Sequence, residues 1–232
     1  MIPEKYLNSL IERAYKEDVG DGDHSSLCCI NENEKGTARL LVKEPGVIAG
    51  VEVAKAVCAF FSKSLNLNVF INDGAVVKPG DIVFELSGPQ LHILTAERTI
   101  LNFMQRMSGI ATETARYASQ LKGFKAKILD TRKTTPGLRL IEKEAVKIGG
   151  GENHRIGLYD MIMLKDNHID YSGGLEKAIN NAVDYLKVKN LTLKIEVEVR
   201  SLEDVAEVLR IGKVDRIMLD NFNIENTAKA VE

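Results

Sequence analysis

Four short stretches of this chain place ionisable side chains directly after apolar runs: Asp130-Thr131-Arg132-Lys133, Lys165-Asp166-Asn167-His168, Glu196-Val197-Glu198 and Asp220-Asn221. In parallel β/α folds the loops that leave the carboxyl ends of the strands build the site, so four such exits are expected to converge on one mouth. Arg132, Lys133, Arg139, His154, Arg155 and Lys165 supply positive charge there. Glu198, nearest the exit of its run, is the best candidate for a functional carboxylate, with Asp220 its partner from the next run. Cations on one side and two carboxylates on the other suit a polyanionic substrate, such as a phosphate ester or multi-carboxylate, together with a divalent cation. No Ser-His-Asp or Cys-His order stands out, so covalent catalysis has no support. Gly149-Gly150-Gly151 lacks the P-loop pattern and follows a helix, which makes it a turn on its own evidence.

The elements that must carry these residues can be read from periodicity. Tyr6 to Tyr15 repeats apolar residues at helical spacing and is followed by a polar turn, Glu17 to Asp23. Short β-like runs follow at Thr37 to Val42, Val47 to Ile48, Asn68 to Ile71 and Ile82 to Leu86, with a helix from Glu52 to Lys63 among them. Leu91 to Met107 is helical, and Ser108-Gly109 is expected to interrupt it before a second helix through Leu121. The expected domains are therefore 1–107 and 108–232. Beyond the boundary, strands at Ala126 to Asp130, Met161 to Lys165, Leu193 to Val199 and Arg216 to Asp220 alternate with helices at Leu138 to Lys147, Leu175 to Leu186, Leu202 to Leu209 and Ile224 to Val231. Repeated β-then-α units imply parallel strands, in a barrel or an open sheet. Within the run from Leu193, a period of two puts Leu193, Ile195 and Val197 on one face and Lys194, Glu196 and Glu198 on the other. An ion pair between Lys194 and Glu196 is the expected compensation for the deeper two charges.

Composition limits the rest. In 232 residues, 31 Lys and Arg against 33 Asp and Glu leave a net charge of −2 and remove the basic field of a nucleic-acid coat or polybasic membrane binder. No apolar run approaches the ~18 residues that span a bilayer, and the amino terminus lacks the cationic and apolar blocks of a secretory signal, so a cytoplasmic location is expected. Cys28, Cys29 and Cys58 lack metal or redox spacing and are expected to be buried free thiols.

The segments Thr131-Arg132-Lys133-Thr134-Thr135-Pro136-Gly137-Leu138-Arg139, Gly149-Gly150-Gly151 leading to His154-Arg155, Leu164-Lys165-Asp166-Asn167-His168, Glu196-Val197-Glu198 and Leu219-Asp220-Asn221-Phe222 together resemble the quinolinate phosphoribosyltransferases, also called nicotinate-nucleotide pyrophosphorylases (carboxylating). Glu17-Asp18, Gly20-Asp21, Glu97-Arg98-Thr99, Leu101-Asn102 and Ser108-Gly109-Ile110-Ala111 extend the similarity across nearly the whole chain.

The resemblance implies an α/β fold: an N-terminal α/β sandwich domain plus an incomplete α/β barrel of the type II phosphoribosyltransferase kind. It implies transfer of phosphoribosyl from 5-phosphoribosyl 1-pyrophosphate to quinolinate with decarboxylation, giving nicotinate mononucleotide, pyrophosphate and carbon dioxide for NAD synthesis. Arg132, His154, Arg155 and Lys165 would grip the dicarboxylate, with Thr131 beside them and Lys133 near the phosphates. Glu198 and Asp220 would hold the ribose hydroxyls and, directly or indirectly, Mg²⁺. Lys133, Glu198 and Asp220 are the implied catalytic residues, and Arg98 would act in trans in a homodimer or larger assembly. Family members continue past the point where this sequence stops, at Glu232, with Gly-rich segments that seat the 5-phosphate and complete the barrel, so a truncated, catalytically silent form is one alternative. A relative linked to molybdenum transport is another. A third, a biotinyl or lipoyl carrier, is suggested by the turn Asn72 to Asp81 but lacks the modified-lysine hairpin.

Overall fold

The computed structural model describes residues 2–31 and 33–232 and divides into two compact units, Met1–His154 and Arg155–Glu232. In the first unit, helices α1 (Glu4–Asp18) and α2 (His24–Cys29) lead to strands β1 (Lys35–Leu41) and β2 (Gly46–Val47). Helix α3 (Val51–Phe61) precedes β3 (Asn66–Val69), β4 (Val76–Val77) and β5 (Ile82–Pro89). Strands β1, β5 and β3 form an antiparallel sheet with β5 in the centre, and β2 pairs with β4. Two helices complete the unit, α4 (Gln90–Ser119) and α5 (Arg139–Ile148). One core joins them: Val53, Val57, Phe84, Ile100, Met104 and Ile141 are all buried in it.

The expected break at Ser108-Gly109 is absent, and α4 runs unbroken for 30 residues. A mid-helix glycine costs only about 1 kcal/mol, which the buried face from Ile93 to Thr114 outweighs. Ser108 is used laterally instead: its hydroxyl donates to the carbonyl of Ala49 at 3.1 Å and accepts from the Ala49 N–H at 3.0 Å. The expected strand at Ala126 to Asp130 is likewise not formed. Its ladder is a single parallel bridge, Leu129 with Glu152, so Asp130 N–H donates to Glu152 at 3.1 Å and no longer pairing follows. Only one of the three cysteines is buried. Cys58 sits on the inward face of α3, where burial pushes its thiol up to about 11. Cys28 and Cys29 are exposed because the six-residue α2 turns Ser26 inward, beside its Asp23 cap.

The second unit is built from β/α pairs. Strands β6 (Ile162–Leu164), β7 (Ile195–Val199) and β8 (Arg216–Leu219) form a parallel sheet in that order. Helix α6 (Asp166–Ser172), which periodicity did not reveal, starts directly at the exit of β6; α7 (Leu175–Lys189), α8 (Leu202–Ile211) and α9 (Ile224–Val231) complete the unit. Ile195, Val197 and Val199 bury one face of β7 against Ile179, Val205 and Val208 of the helices. Ser201 and Asn223 cap α8 and α9 by accepting the backbone N–H groups of Asp204 and Asn226. Among the described residues, no helix is long and apolar enough to cross a membrane.

Candidate functional site

The register of the parallel sheet decides which charges share a face. Met163, Glu196 and Arg216 lie opposite one another across β6, β7 and β8, and Glu198 lies opposite Met218. Because side chains alternate, this face carries Glu196 and Glu198 while the apolar residues of β7 turn to the helices. The expected Lys194–Glu196 pair is not what forms. Lys194 precedes β7 and is exposed, whereas Arg216 is directly across the ladder and places Nη1 3.3 Å from Glu196 Oε2. Glu196 is fully buried, so a partner held in register on the adjacent strand compensates it better than a mobile lysine at the strand entrance.

One step toward the exit, Lys165 Nζ lies 3.5 Å from Glu198 Oε2. The Glu198 side chain is only 11% exposed, and Oε2 has no hydrogen-bond partner among the described residues. Lys165 is itself fixed at the start of α6, where its N–H donates to His168 Nδ1 at 2.9 Å. Asp220 follows β8 and is tied to β7 by its N–H, which donates to Val199 at 2.9 Å; Asn221 then takes a left-handed φ of 55° and donates to the Asp220 carboxylate at 2.8 Å. Arg155 donates to the Met161 carbonyl at 3.2 Å and reaches Met163 Sδ at 3.5 Å, on the sheet face that bears Glu196. Lys165, Glu198 and Asp220 thus sit at the exits of β6, β7 and β8, with Lys165 and Glu198 brought into contact, whereas Arg155 lies in the loop that precedes β6.

Thr131, Arg132, Lys133 and His154 fall in the first unit. The loop that bears the first three is pinned by Arg139, already a candidate cation, and by Arg106, Glu142 and Tyr6, whose spacing carries no such signal. Arg106 of α4 donates to Glu142 of α5 at 2.7 and 2.9 Å and to the Thr135 hydroxyl at 3.0 Å, while Glu142 accepts the Thr135 N–H at 3.1 Å. Burial pushes the Glu142 carboxyl up, but Arg106 and the Thr135 donors outweigh it and leave it below the usual carboxylate range. Arg139 donates to the Thr134 hydroxyl at 3.0 Å and the Arg132 carbonyl at 3.4 Å. Tyr6 donates to the Gly137 carbonyl at 2.6 Å. Within this frame Thr131 accepts the Lys133 N–H at 3.0 Å, Lys133 is exposed, and Arg132 buries an Nε that has no acceptor among the described residues. Arg98 is exposed on α4.

The glycine triplet is a packing device. A Cβ on Gly149 would fall onto the Ala111 carbonyl oxygen and 2.7 Å from Thr114 Cβ, and one on Gly151 would fall 2.8 Å from Val146 Cγ1. Gly150 takes φ +90° between them. Glu142 was legible as a helix residue, but nothing in its spacing distinguished a buried acid from a solvated one. Glu198 and Asp220 are the carboxylates at the strand exits that could offer oxygen donors to a divalent cation. Among the described residues no cluster of three or more His, Cys, Asp or Glu could hold a metal alone.

An antiparallel α/β unit with a cationic, pinned loop and a parallel β/α unit with acids at its strand exits define an α/β protein. Residues 23–108 match the model of the quinolinate phosphoribosyl transferase N-terminal domain, and residues 110–232 match that of the C-terminal domain. The chain belongs to the quinolinate phosphoribosyl transferase family. It is 45% identical over 226 residues to quinolinate phosphoribosyltransferase (decarboxylating) 1b of Nicotiana tabacum. It is also 45% identical to the chloroplastic nicotinate-nucleotide pyrophosphorylase (carboxylating) of Arabidopsis thaliana; each match covers 95% of this chain and 64% of the relative. The crystal structure of NadC from Streptococcus pyogenes matches with a TM-score of 0.94 at 40% identity, covering 100% of this chain and 80% of that one. The chain thus spans 64% of the length of the curated plant relatives it matches.

Proposed function

We propose that this chain carries the machinery that joins quinolinate to 5-phosphoribosyl 1-pyrophosphate and releases pyrophosphate and carbon dioxide, giving nicotinate mononucleotide. Family membership over both domains supports the reading. The observation that carries it is the buried Arg132 Nε without an acceptor. An unsatisfied buried donor costs about 1–3 kcal/mol, and a substrate carboxylate supplies the missing acceptor in a charge-assisted bond.

Arg132, His154, Arg155 and Lys165 hold the two carboxylates of quinolinate, with Thr131 at the same loop and Lys133 toward the donor's phosphates. The pyridine nitrogen attacks C1 of the ribose as the bond to pyrophosphate breaks. Positive charge develops on the sugar, and Glu198 and Asp220, which hold the ribose hydroxyls, stabilise it electrostatically. Loss of the ring carboxylate as carbon dioxide leaves an electron pair on the ring carbon, which cationic neighbours stabilise until it takes a proton; no protein nucleophile is needed. Mg²⁺, held by Glu198 and Asp220 directly or through water, would neutralise the leaving pyrophosphate. Arg98 serves the site of a neighbouring subunit in a dimer or larger assembly.

Incubation with quinolinate, the pyrophosphate donor and Mg²⁺ tests the reading: carbon dioxide and pyrophosphate are expected in equal amounts. Turnover of nicotinate without turnover of quinolinate would overturn the choice of substrate.

A further inference from the structure

Lys143 is the largest fully buried side chain of the described residues, 1% exposed, and it forms an ion pair with Asp130, whose side chain is 7% exposed. Lys143 has no role in the site chemistry, and Asp130 enters it only as the start of the Arg132 stretch. Their charge pair is the hub of a network that ties together two separate stretches of backbone. Lys143 Nζ also donates to the His154 carbonyl at 3.2 Å, and Asp130 Oδ1 accepts the His154 N–H at 2.8 Å. The side-chain amide of Asn153, with its nitrogen turned inward as its surroundings require, donates to the Lys143 carbonyl at 2.9 Å and to Asp130 Oδ2 at 3.1 Å. A buried ion is tolerated only when its partners satisfy it fully, so the geometry of such a network is narrow.

Asp130 stands two residues before Arg132, and His154 is gripped at both its N–H and its carbonyl. We propose that Asp130 and Lys143 are positioning residues: their ion pair locks the backbone of residues 130–132 to that of residues 153–154 and so fixes the spacing of Arg132 and His154 for a planar dicarboxylate. The proposal rests on the functional reading above. It explains why α5 buries a lysine where an apolar residue of similar volume would cost less desolvation. It also gives the Arg132 loop a second anchor, since Arg106 and Glu142 hold Thr135 at the other end. Rigid support of this kind converts contacts into affinity because no ordering cost is left for binding.

The test compares wild type with Asp130→Asn, which is isosteric and the mildest change, with Lys143→Met, and with the double variant, by amide hydrogen exchange and quinolinate titration. The His154 amide is expected to exchange at least about tenfold faster in each folded variant while amides of β5 keep their rates. Quinolinate affinity is expected to fall about tenfold to a hundredfold, with the KM for the phosphoribosyl donor unchanged. A folded variant with wild-type exchange at His154, or with faster exchange but wild-type quinolinate affinity, overturns the proposal. Equal loss of affinity for both substrates overturns it too, because that pattern marks general destabilisation. If wild type binds no quinolinate, the functional reading falls by itself, and the exchange rates alone then decide whether the pair orders this segment.

Discussion

Glu196 of β7 and Arg216 of β8 stand directly opposite each other in the parallel ladder, with Arg216 Nη1 3.3 Å from a carboxylate that is almost entirely shielded from water. The arginine is about half exposed, so the pair lies between a surface ion pair and a fully desolvated one. Replacing Arg216 by leucine is expected to destabilise the fold by about 2 kcal/mol, between the values for exposed and buried pairs. Replacing both partners by apolar residues of similar volume should recover most of that loss. Urea denaturation midpoints of the two variants make the comparison.

Acid stability should report on Glu142. Its carboxyl is held below the usual range, so the folded state favours the ionised form. The resulting stability is fully present above the unfolded carboxylate pKa of ~4.3 and is lost as pH falls through the lower folded value. Glu142→Gln is therefore expected to lower stability at neutral pH and to flatten the decline below about pH 4.5. Thermal unfolding across pH 2.5 to 7 (chosen to bracket ~4.3) checks it; an acid limb as steep as wild type would count against the assignment.

Arg132→Lys keeps the charge but removes the planar fork that matches a carboxylate. Quinolinate affinity is expected to weaken by about 1.5–3 kcal/mol, the range for a hydrogen bond to a charged group, with a smaller effect on the phosphoribosyl donor. Steady-state KM values for both substrates separate the two.

Glu198 and Asp220 are assigned to charge that develops on the sugar. Glu198→Gln preserves shape and is expected to lower kcat about 10²- to 10³-fold while leaving quinolinate binding nearly intact. A comparable loss of quinolinate affinity would return Glu198 to the role of a partner that merely places Lys165, 3.5 Å away.

Arg98 acting in trans makes a quantitative claim. When Arg98→Ala and Glu198→Gln subunits are mixed as equal parts of a dimer, half the assemblies are hybrids, and one site in each hybrid has every group. About a quarter of wild-type activity is expected, as closed two-fold symmetry requires. A mixture no more active than its components would place Arg98 in its own subunit's site or outside the chemistry.

Gly149→Ala tests the packing role of the glycine triplet. The new methyl meets the Ala111 carbonyl and Thr114 of α4, backbone and β-carbon that have little room to move. A loss of about 1–3 kcal/mol is expected from overpacking, and thermal unfolding measures it.

The sequence by itself determined the period-two strands and the helices behind them, because alternation of charge and apolarity in Ile195–Val199 fixes which face is buried whatever else the chain does. It also determined the charged exits of β6, β7 and β8 and the ordered motifs that mark the family, but not that Asp130 to Lys133 would follow a single bridge instead of a strand. What it left open was every choice that depends on a distant partner. Glu196 pairs with Arg216 because parallel register puts them side by side, and no local spacing reveals that. Ser108-Gly109 looked like a helix end until the buried face of α4 outweighed the glycine. Lys143 and Glu142 read as ordinary polar helix residues, and only the packing of α5 against the rest of its unit turned them into buried anchors of the Arg132 loop. Desolvation and register are properties of assembled elements, so the identity of a buried charge's partner belongs to the tertiary structure alone.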